Sequence, residues 1–165
     1  MDTNAYGFAS GKEFVNAAQL SSGGGVVAFD CSDSDLVMDD SNNRSDVFVR
    51  ELSSGTLELI SGRDAALPSG TPAAVAFGPL LSASADGRFV AFGGSPGALV
   101  SGCTNPYRAI IVRDLSMGTN LLASVDTNGL ATLDRNALDP CLSSDGRFVA
   151  FSTSASNLVL VVIRS

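Results

Sequence analysis

The chain has 165 residues, enough for one domain with a buried core, and 45% of them are hydrophobic, which argues against intrinsic disorder. Fourteen aspartates and three glutamates outnumber nine arginines and one lysine, and this net charge of −7 disfavours a nucleic-acid partner. No apolar run reaches the roughly 18 residues of a membrane span. The first residues resemble no secretory signal, so we expect that the chain is either cytoplasmic or lacks its native start, and the phase of its repeat favours the latter.

Three strands are predicted in the first segment of the chain, around a glycine-rich turn and an acidic loop. The turn lies at residues 23–25, and an apolar run follows it at 26–29. Two further runs, at 48–52 and 56–60, lie on either side of Gly55. Many Gly and Ser residues with few helix formers are typical of short strands joined by turns.

This pattern returns about every sixty residues. Residues 84–92 read SADGRFVAF, residues 143–151 read SSDGRFVAF, and a decayed copy, SSGGGVVAF, lies at 21–29. Further landmarks repeat in phase: Leu-Val pairs at 36–37, 99–100 and 158–159, strands at 48–52 and 111–115, and Asp-Thr-Asn at 2–4 and 126–128. A fixed period indicates stacking of one supersecondary unit. We predict a single repeat segment over residues 1–165, with units at about 1–62, 63–125 and 126–165.

Each unit is predicted to hold four antiparallel strands. In the third copy, Asp145-Gly146 is typical of a two-residue type I′ turn between strands at 139–143 and 147–152. The runs around Phe48 and Ile111 supply a third strand, and a turn at Gly55 or Gly118 leads to a fourth.

The second strand is apolar on both faces. Phe148 and Ala150 would lie on one face and Val149 and Phe151 on the other, so we expect burial on both sides. Phe92 and Phe151 are predicted to be core residues of equivalent strands. Short four-stranded sheets that repeat radially are the blades of a β-propeller, so the predicted fold class is all-β, with four-stranded antiparallel blades in an incomplete propeller.

The third copy resembles the WD40-like repeats of TolB-type bacterial β-propellers. From Pro140 to Phe151 it reads Pro-x-x-Ser-x-Asp-Gly-Arg-x-Val-Ala-Phe, with Asn157-Leu158-Val159 after it, and the strand at 47–52 also fits. The resemblance covers nearly the whole chain. It implies a propeller that serves as an interaction platform, as a periplasmic partner of envelope complexes or as an accessory domain of a peptidase. It also implies location in the bacterial periplasm or outside the cell.

The repeats stop at two full blades and a partial third, whereas radial closure takes at least four. In the third copy the segment after Leu158 lacks about eight residues, so Ile163-Arg164 is either an early third strand or unrelated sequence. Uncovered terminal blades would expose apolar faces, which promote association. We therefore expect either a piece of a longer propeller or a protein that associates with a second copy.

The sequence contains no histidine, which excludes Ser-His-Asp triads and histidine metal sites. Residues 93–97 match the G-x-S-x-G pattern of a nucleophile elbow, but that motif needs a strand-to-helix turn and a histidine partner. Ser95 corresponds to Ser32 and Ser154 in the other copies, so we interpret it as a loop residue.

An acidic stretch from Asp30 to Asp46 raises the possibility of calcium, whose ligands are carboxylate and carbonyl oxygens. Its polar residues do not match the spacing of an EF-hand loop. In the second copy Gly102, Cys103 and Ala109 replace the last three acidic residues, so the unit does not require them. We interpret the stretch as a solvated acidic loop. The alternative is a calcium site that occurs in the first blade only. The residues concerned are Asp30, Asp33, Asp35, Asp39, Asp40, Asn42 and Asp46.

Other polar residues have structural interpretations. Asp86 and Asp145 are predicted to form turns, because the Asp box of sialidases has a residue between Asp and Gly. Charged pairs at 50–51 and 113–114 are predicted to keep the strand edges soluble. The cysteines, Cys31, Cys103 and Cys141, lack metal-site spacing, and a bridge between the first two is conceivable but unsupported.

The sequence favours a non-catalytic module for protein interaction or structural scaffolding, without metal or cofactor and with an unidentified protein partner. The alternative is an accessory propeller of an envelope hydrolase or peptidase whose catalytic domain lies outside this chain. A carbohydrate-binding propeller is a weaker third hypothesis, because the chain has no Trp and only two tyrosines, Tyr6 and Tyr107.

Overall fold

The structure is a computed structural model that describes residues 15–33, 35–38, 40, 42, 44–63, 76–103, 106–126, 128–129 and 135–158. Several predicted features lie outside these ranges: the repeat landmarks at 2–4 and 127, Tyr6, Asp39, Val159 and Ile163-Arg164. Within the described ranges, no helix combines the length and apolar character that crossing a membrane requires.

The strands form three antiparallel sheets in chain order. The first sheet has the order β1-β2-β3-β4, with β1 at Val15–Leu20, β2 at Val26–Cys31, β3 at Asp46–Glu51 and β4 at Leu57–Leu59. The second has the order β5-β6-β7-β8, with β5 at Ala76–Ala83, β6 at Phe89–Gly94, β7 at Ala109–Asp114 and β8 at Thr119–Leu122. A short helix, α1 at Pro96–Leu99, follows β6. The third sheet pairs β9 at Ala137–Leu142 with β10 at Val149–Thr153.

Consecutive sheets stack face to face. Strand β5 packs against β1 and β2, and β9 packs against β5, β6 and β7. The first strand of each sheet therefore covers the second strand of the sheet before it. This arrangement confirms the predicted fold class, an all-β chain of antiparallel propeller blades in an incomplete propeller.

Two apolar layers lie between the sheets, one at each junction. Ala28 and Val49 of the first blade meet Val90 and Phe92 of the second, and Phe92 is 1% exposed. On the other side of β6, Phe89 and Ala91 contribute to a second layer with Val149 of the third blade. Because neighbouring residues of β6 enter different layers, both faces of this strand are buried, as predicted.

The same prediction is wrong for the third blade. Val149 is buried against the second blade, but Ala150 on the opposite face is exposed, and Phe148 is 46% exposed. Phe151 is only half-buried, so the prediction that it is largely buried is also wrong. The physical reason is that only β9 pairs with β10 among the described residues, and no described sheet stacks on its outer face.

Candidate functional site

The hairpin turns between the first two strands of each blade have one geometry. In the second blade, the Ser84 hydroxyl donates to Asp86 Oδ1 (2.5 Å) and accepts from the Phe89 N–H (3.0 Å), and Gly87 takes a φ of +76°. The third blade repeats these contacts with Ser143, Asp145, Phe148 and Gly146. Among these turn residues only the glycines have positive φ, whereas a type I′ turn needs it at both central residues. The predicted type I′ turn is therefore wrong.

The first blade retains this turn without its aspartate. In the leading turn, residues 21–25, the Ser21 hydroxyl accepts from the Val26 N–H (3.1 Å) and Gly24 has a φ of +72°. The Gly24 N–H donates to Ser21 O (2.8 Å), as the Gly87 N–H donates to Ser84 O (3.1 Å). The Gly-rich sequence thus keeps the backbone shape of the Asp-Gly turns.

The turns of the second and third blades pack on the blade before them through their glycines. Gly87 lies against Val26, where an added Cβ would come within 2.6 Å of Cγ2. Gly146 lies against the Phe89 ring, and a Cβ at this position would overlap Cδ2. Val26 and Phe89 occupy equivalent repeat positions, so the same contact joins the first blade to the second and the second to the third.

Backbone hydrogen bonds run from turn to turn along the same rim. The Gly23 N–H donates to Ala85 O (2.8 Å), and the Ala85 N–H donates to Ser144 O (2.9 Å). Lower in the junction, the Leu142 N–H of β9 donates to the Ser82 hydroxyl of β5 (2.9 Å). Each of these bonds joins two adjacent blades. Together they fix how each blade is positioned on its neighbour in the repeat.

The third blade presents an open face to solvent. The described residues of this face in β9 and β10 and beside them are exposed, namely Leu138, Cys141, Phe148, Ala150 and Ser152. Phe148 is 46% exposed, whereas its equivalent Phe89 is 6% exposed beneath the third blade. The open face therefore displays the apolar surface that the second blade buries. The alternation in the sequence predicts the two faces of this strand, but the prediction that both are buried is wrong for the open face.

The opposite end of the stack also exposes blade-junction positions. Gly24 has no neighbour within 4 Å of an added Cβ, unlike Gly87 and Gly146. Leu20 is 52% exposed, whereas its repeat equivalent Leu142 is 8% exposed against the second blade. A junction between blades has two surfaces, one from each blade. One end of the stack exposes the first of these surfaces, and the other end exposes the second.

The acidic stretch is not a solvated loop. Four of its aspartates are buried, with exposures of 1% for Asp30, 3% for Asp33, 7% for Asp40 and 0% for Asp46, while Asp35 is exposed. The interpretation as a solvated loop is therefore wrong for these four residues. Within the described residues, the Oδ2 atoms of Asp30 and Asp40 accept no hydrogen bond.

Burial changes the titration of two of these aspartates. It raises the pKa of Asp46 to about 6, although hydrogen bonds from Ser61 (2.6 Å) and Asn42 (2.8 Å) act in the opposite direction. Burial likewise raises the pKa of Asp40 above its ordinary range. Among the described residues, no three or more Asp, Glu, Cys or His side chains are grouped as metal ligands.

The remaining candidate residues do not converge on one site. Ser95 is a loop residue, as predicted: it lies outside both elements, between β6 and the four-residue helix α1. It makes no side-chain hydrogen bond to cap the helix. The three cysteines are free thiols; Cys31 is buried and Cys141 is exposed. Burial raises the pKa of the Cys31 thiol, which keeps it protonated and weakly nucleophilic.

Charged residues at the strand ends form specific pairs. The Arg88 guanidinium makes two hydrogen bonds to the Asp114 carboxylate, at 3.1 and 2.8 Å, and they hold the pKa of that carboxyl well below its usual range. Arg113 pairs with Glu58 of the first blade, which adds a polar link at that junction. These pairs stabilise blades and do not form a catalytic arrangement.

Comparisons with known proteins bear on the fold alone. No family model matches the chain. No curated protein matches it either. The chain is similar to a crystal structure of the tricorn protease, with a TM-score of 0.50 and 17% identity over 90% of this chain and 12% of that one. It also resembles TolB from Acinetobacter baumannii, with a TM-score of 0.42 and 16% identity over 91% of this chain and 40% of that one. The chain therefore spans less than half the length of either protein.

Proposed function

We propose that this chain is a TolB-like β-propeller segment that acts without catalysis, as a module for protein interaction or structural scaffolding. The observation that carries this proposal is the open face of the third blade. Exposed apolar surface rimmed by polar residues is typical of protein interaction sites, and aromatic residues contribute strongly to binding at such sites. Phe148 is the aromatic residue of this face, and Leu138 beside it is 40% exposed.

The absence of histidine from the sequence supports the non-catalytic part of the proposal, since it removes the usual general base. Ser95 has no histidine to activate it, and the buried aspartates are placed in the interior of the first blade. The resemblance to TolB-type repeats supports location in the periplasm or outside the cell.

A second candidate is an accessory propeller of an envelope hydrolase or peptidase. It is favoured by the similarity to a part, 12%, of the tricorn protease chain, which carries its activity in a much longer polypeptide. The coding sequence on either side of this segment distinguishes the two. An adjoining catalytic domain supports the second candidate, and further blades alone support the first.

The interaction role is tested by affinity capture from a bacterial envelope extract. The wild-type chain and two variants, Phe148→Glu and Met117→Glu, are immobilised side by side. Met117 is 69% exposed in the β7–β8 turn, away from the open face, so it controls for the added charge. We expect a protein retained by the wild type and by Met117→Glu but lost with Phe148→Glu. A set of retained proteins that is the same for all three chains would contradict the proposal.

The non-catalytic role has its own test. We expect no turnover of generic ester or peptide substrates by the purified chain. Turnover that disappears in Ser95→Ala, with unchanged folding, would overturn this part of the proposal and favour a hydrolase.

A further inference from the structure

We infer that a second copy of this chain docks on the open face in a head-to-tail arrangement, with its first blade stacked on the third blade of the first copy. This inference deepens the proposed function, since it rests on the same open face as an interaction surface. It names the partner as the chain itself.

The glycine contact between blades supplies the first argument. Gly87 covers Val26 and Gly146 covers Phe89, so the next contact in the series needs a turn glycine over Phe148. The leading turn carries such a glycine, Gly24, with the same left-handed backbone and open space around it. Phe148 and Gly24 are thus the two unmatched halves of a contact that the chain makes twice.

The rim hydrogen bond between the second and third blades extends in the same way. Ala85 uses its N–H to reach the carbonyl of Ser144, its equivalent in the next blade. Ser144 has the same position in the third blade, and Ser22 has it in the first. In the docked pair, the Ser144 N–H would donate to Ser22 O of the second copy.

The first strands complete the match. Leu142 of β9 enters the apolar layer of the second blade, and its N–H reaches Ser82. The equivalent of Leu142 in the first blade is Leu20, which is 52% exposed, and the equivalent of Ser82 in the third blade is the exposed Cys141. Docking would therefore bury Leu20 of one copy beside Cys141 of the other.

The symmetry of this contact has a structural consequence. The contact is heterologous, because a different surface of each copy takes part in it. Heterologous contacts form closed rings when the rotation between successive copies returns to the first copy, and open filaments when it does not. The described residues of two copies form six sheets, within the roughly four to eight blades of known propellers. A closed pair is the outcome that would leave neither apolar end exposed.

Disulfide trapping tests the geometry directly. The variant Leu20→Cys is oxidised mildly with its native Cys141, and covalent dimer is measured on a non-reducing gel. We expect a yield at least about tenfold above that of Met117→Cys, because only neighbouring cysteines meet the geometric limits of a disulfide. The yield should be lost in the double variant Leu20→Cys, Cys141→Ser, since Cys31 is buried and Cys103 is half-buried.

Light scattering after size exclusion tests the association without a new bond. Gly24→Asn keeps a residue type that tolerates positive φ but adds a side chain where the docked turn has no room. We expect it to weaken association by at least about tenfold, as for other central interface residues. At a concentration where the chain is monomeric, it should lower the melting temperature no more than the control variant does. Gly102→Asn is the matched control, because Gly102 has a φ of +78°, no neighbour within 4 Å and a position outside the hairpin turns.

Three results would overturn the inference: a monomeric wild type at high micromolar concentration, association that Gly24→Asn does not weaken, or a Leu20→Cys yield no higher than that of Met117→Cys. Such a result, together with a protein partner that is captured by the wild type and lost with Phe148→Glu, leaves the proposed interaction role intact. If no partner depends on Phe148 either, both proposals are wrong.

Discussion

Gly146 lies directly against the ring of Phe89, in the blade before it, with no room for a side-chain atom between them. Its φ of +69° also disfavours any residue with a Cβ. We expect Gly146→Ala to lower the free energy of unfolding by about 2–4 kcal/mol, the sum of left-handed strain and overlap with a packed ring. Urea unfolding measures the loss.

Gly102→Ala is the control for backbone strain alone, since its φ is +78° and it has no neighbour within 4 Å. We expect this variant to lose only about 1–2 kcal/mol. Equal losses at the two positions would mean that the Gly146 contact contributes nothing to the stacking of the blades.

Equivalent phenylalanines should differ in their contribution to stability. Phe92 is 1% exposed between the first two blades, so Phe92→Ala should cost about 3–5 kcal/mol. Phe151 is half-buried, and Phe151→Ala should cost only about 1–2 kcal/mol because less apolar surface returns to water. Chemical denaturation of both variants tests this order, and a larger loss at Phe151 would show that the edge of β10 opposite β9 is covered in solution.

The blade fold could be predicted because strand pattern and turn repeat together at 84–92 and 143–151. The alternation in β6 placed Phe89 and Phe92 on opposite faces, and the structure buries both. The turn type was not predictable from Asp-Gly alone. The hydroxyl of Ser84, two residues before Asp86, bonds that carboxylate and stabilises a turn in which only the glycine has positive φ.

The burial of the aspartates does not follow from residue type, because charged side chains are usually exposed. The repeat did contain a signal: Asp46 corresponds to Ala109, which is fully buried, and Asp30 corresponds to Gly93 in a buried strand. Small residues at these positions of the second blade indicate an interior location. The open face could be predicted only as an apolar surface, since the repeat makes every blade look alike and does not say which one remains uncovered.

Calcium is not expected to bind tightly to the acidic stretch. Both oxygens of Asp46 already accept hydrogen bonds, from Ser61 and Asn42, and the described carboxylates are not grouped as ligands. Isothermal titration calorimetry with calcium should give no micromolar binding. A micromolar site that disappears in the double variant Asp39→Ala, Asp40→Ala would show that the first blade has a private metal site, which Asp39, outside the described residues, helps to form.

Stability should rise as the pH falls from neutral through about 6. The carboxyl of Asp46 has a pKa of about 6 in the folded chain and an ordinary value of 3.8, so the folded state binds its proton first. Protonation of Asp46 in the folded chain between these two pH values raises the free energy of unfolding by about 3 kcal/mol, since each pKa unit corresponds to about 1.36 kcal/mol. Below about pH 4 the stability should fall again as the pH falls. The lowered pKa of Asp114 contributes stability that is fully present above its ordinary value of 3.8, and this stability is lost as the carboxylate bound to Arg88 is protonated.

Urea unfolding at a series of pH values from about 7.5 to about 3 tests this profile. Asp46→Asn removes the titrating group but keeps a polar side chain of the same size beside Ser61 and Asn42. We expect this variant to lose most of the gain between about pH 7 and 4, and to keep the acid-side decline that Asp114 causes. Asp35→Asn is the matched control, because Asp35 belongs to the same stretch and is exposed. A wild-type profile that falls steadily with decreasing pH would show that Asp46 is ionised in the folded chain at neutral pH and below. A gain that persists in Asp46→Asn would show that another carboxyl causes it, such as Asp40, whose pKa burial also raises.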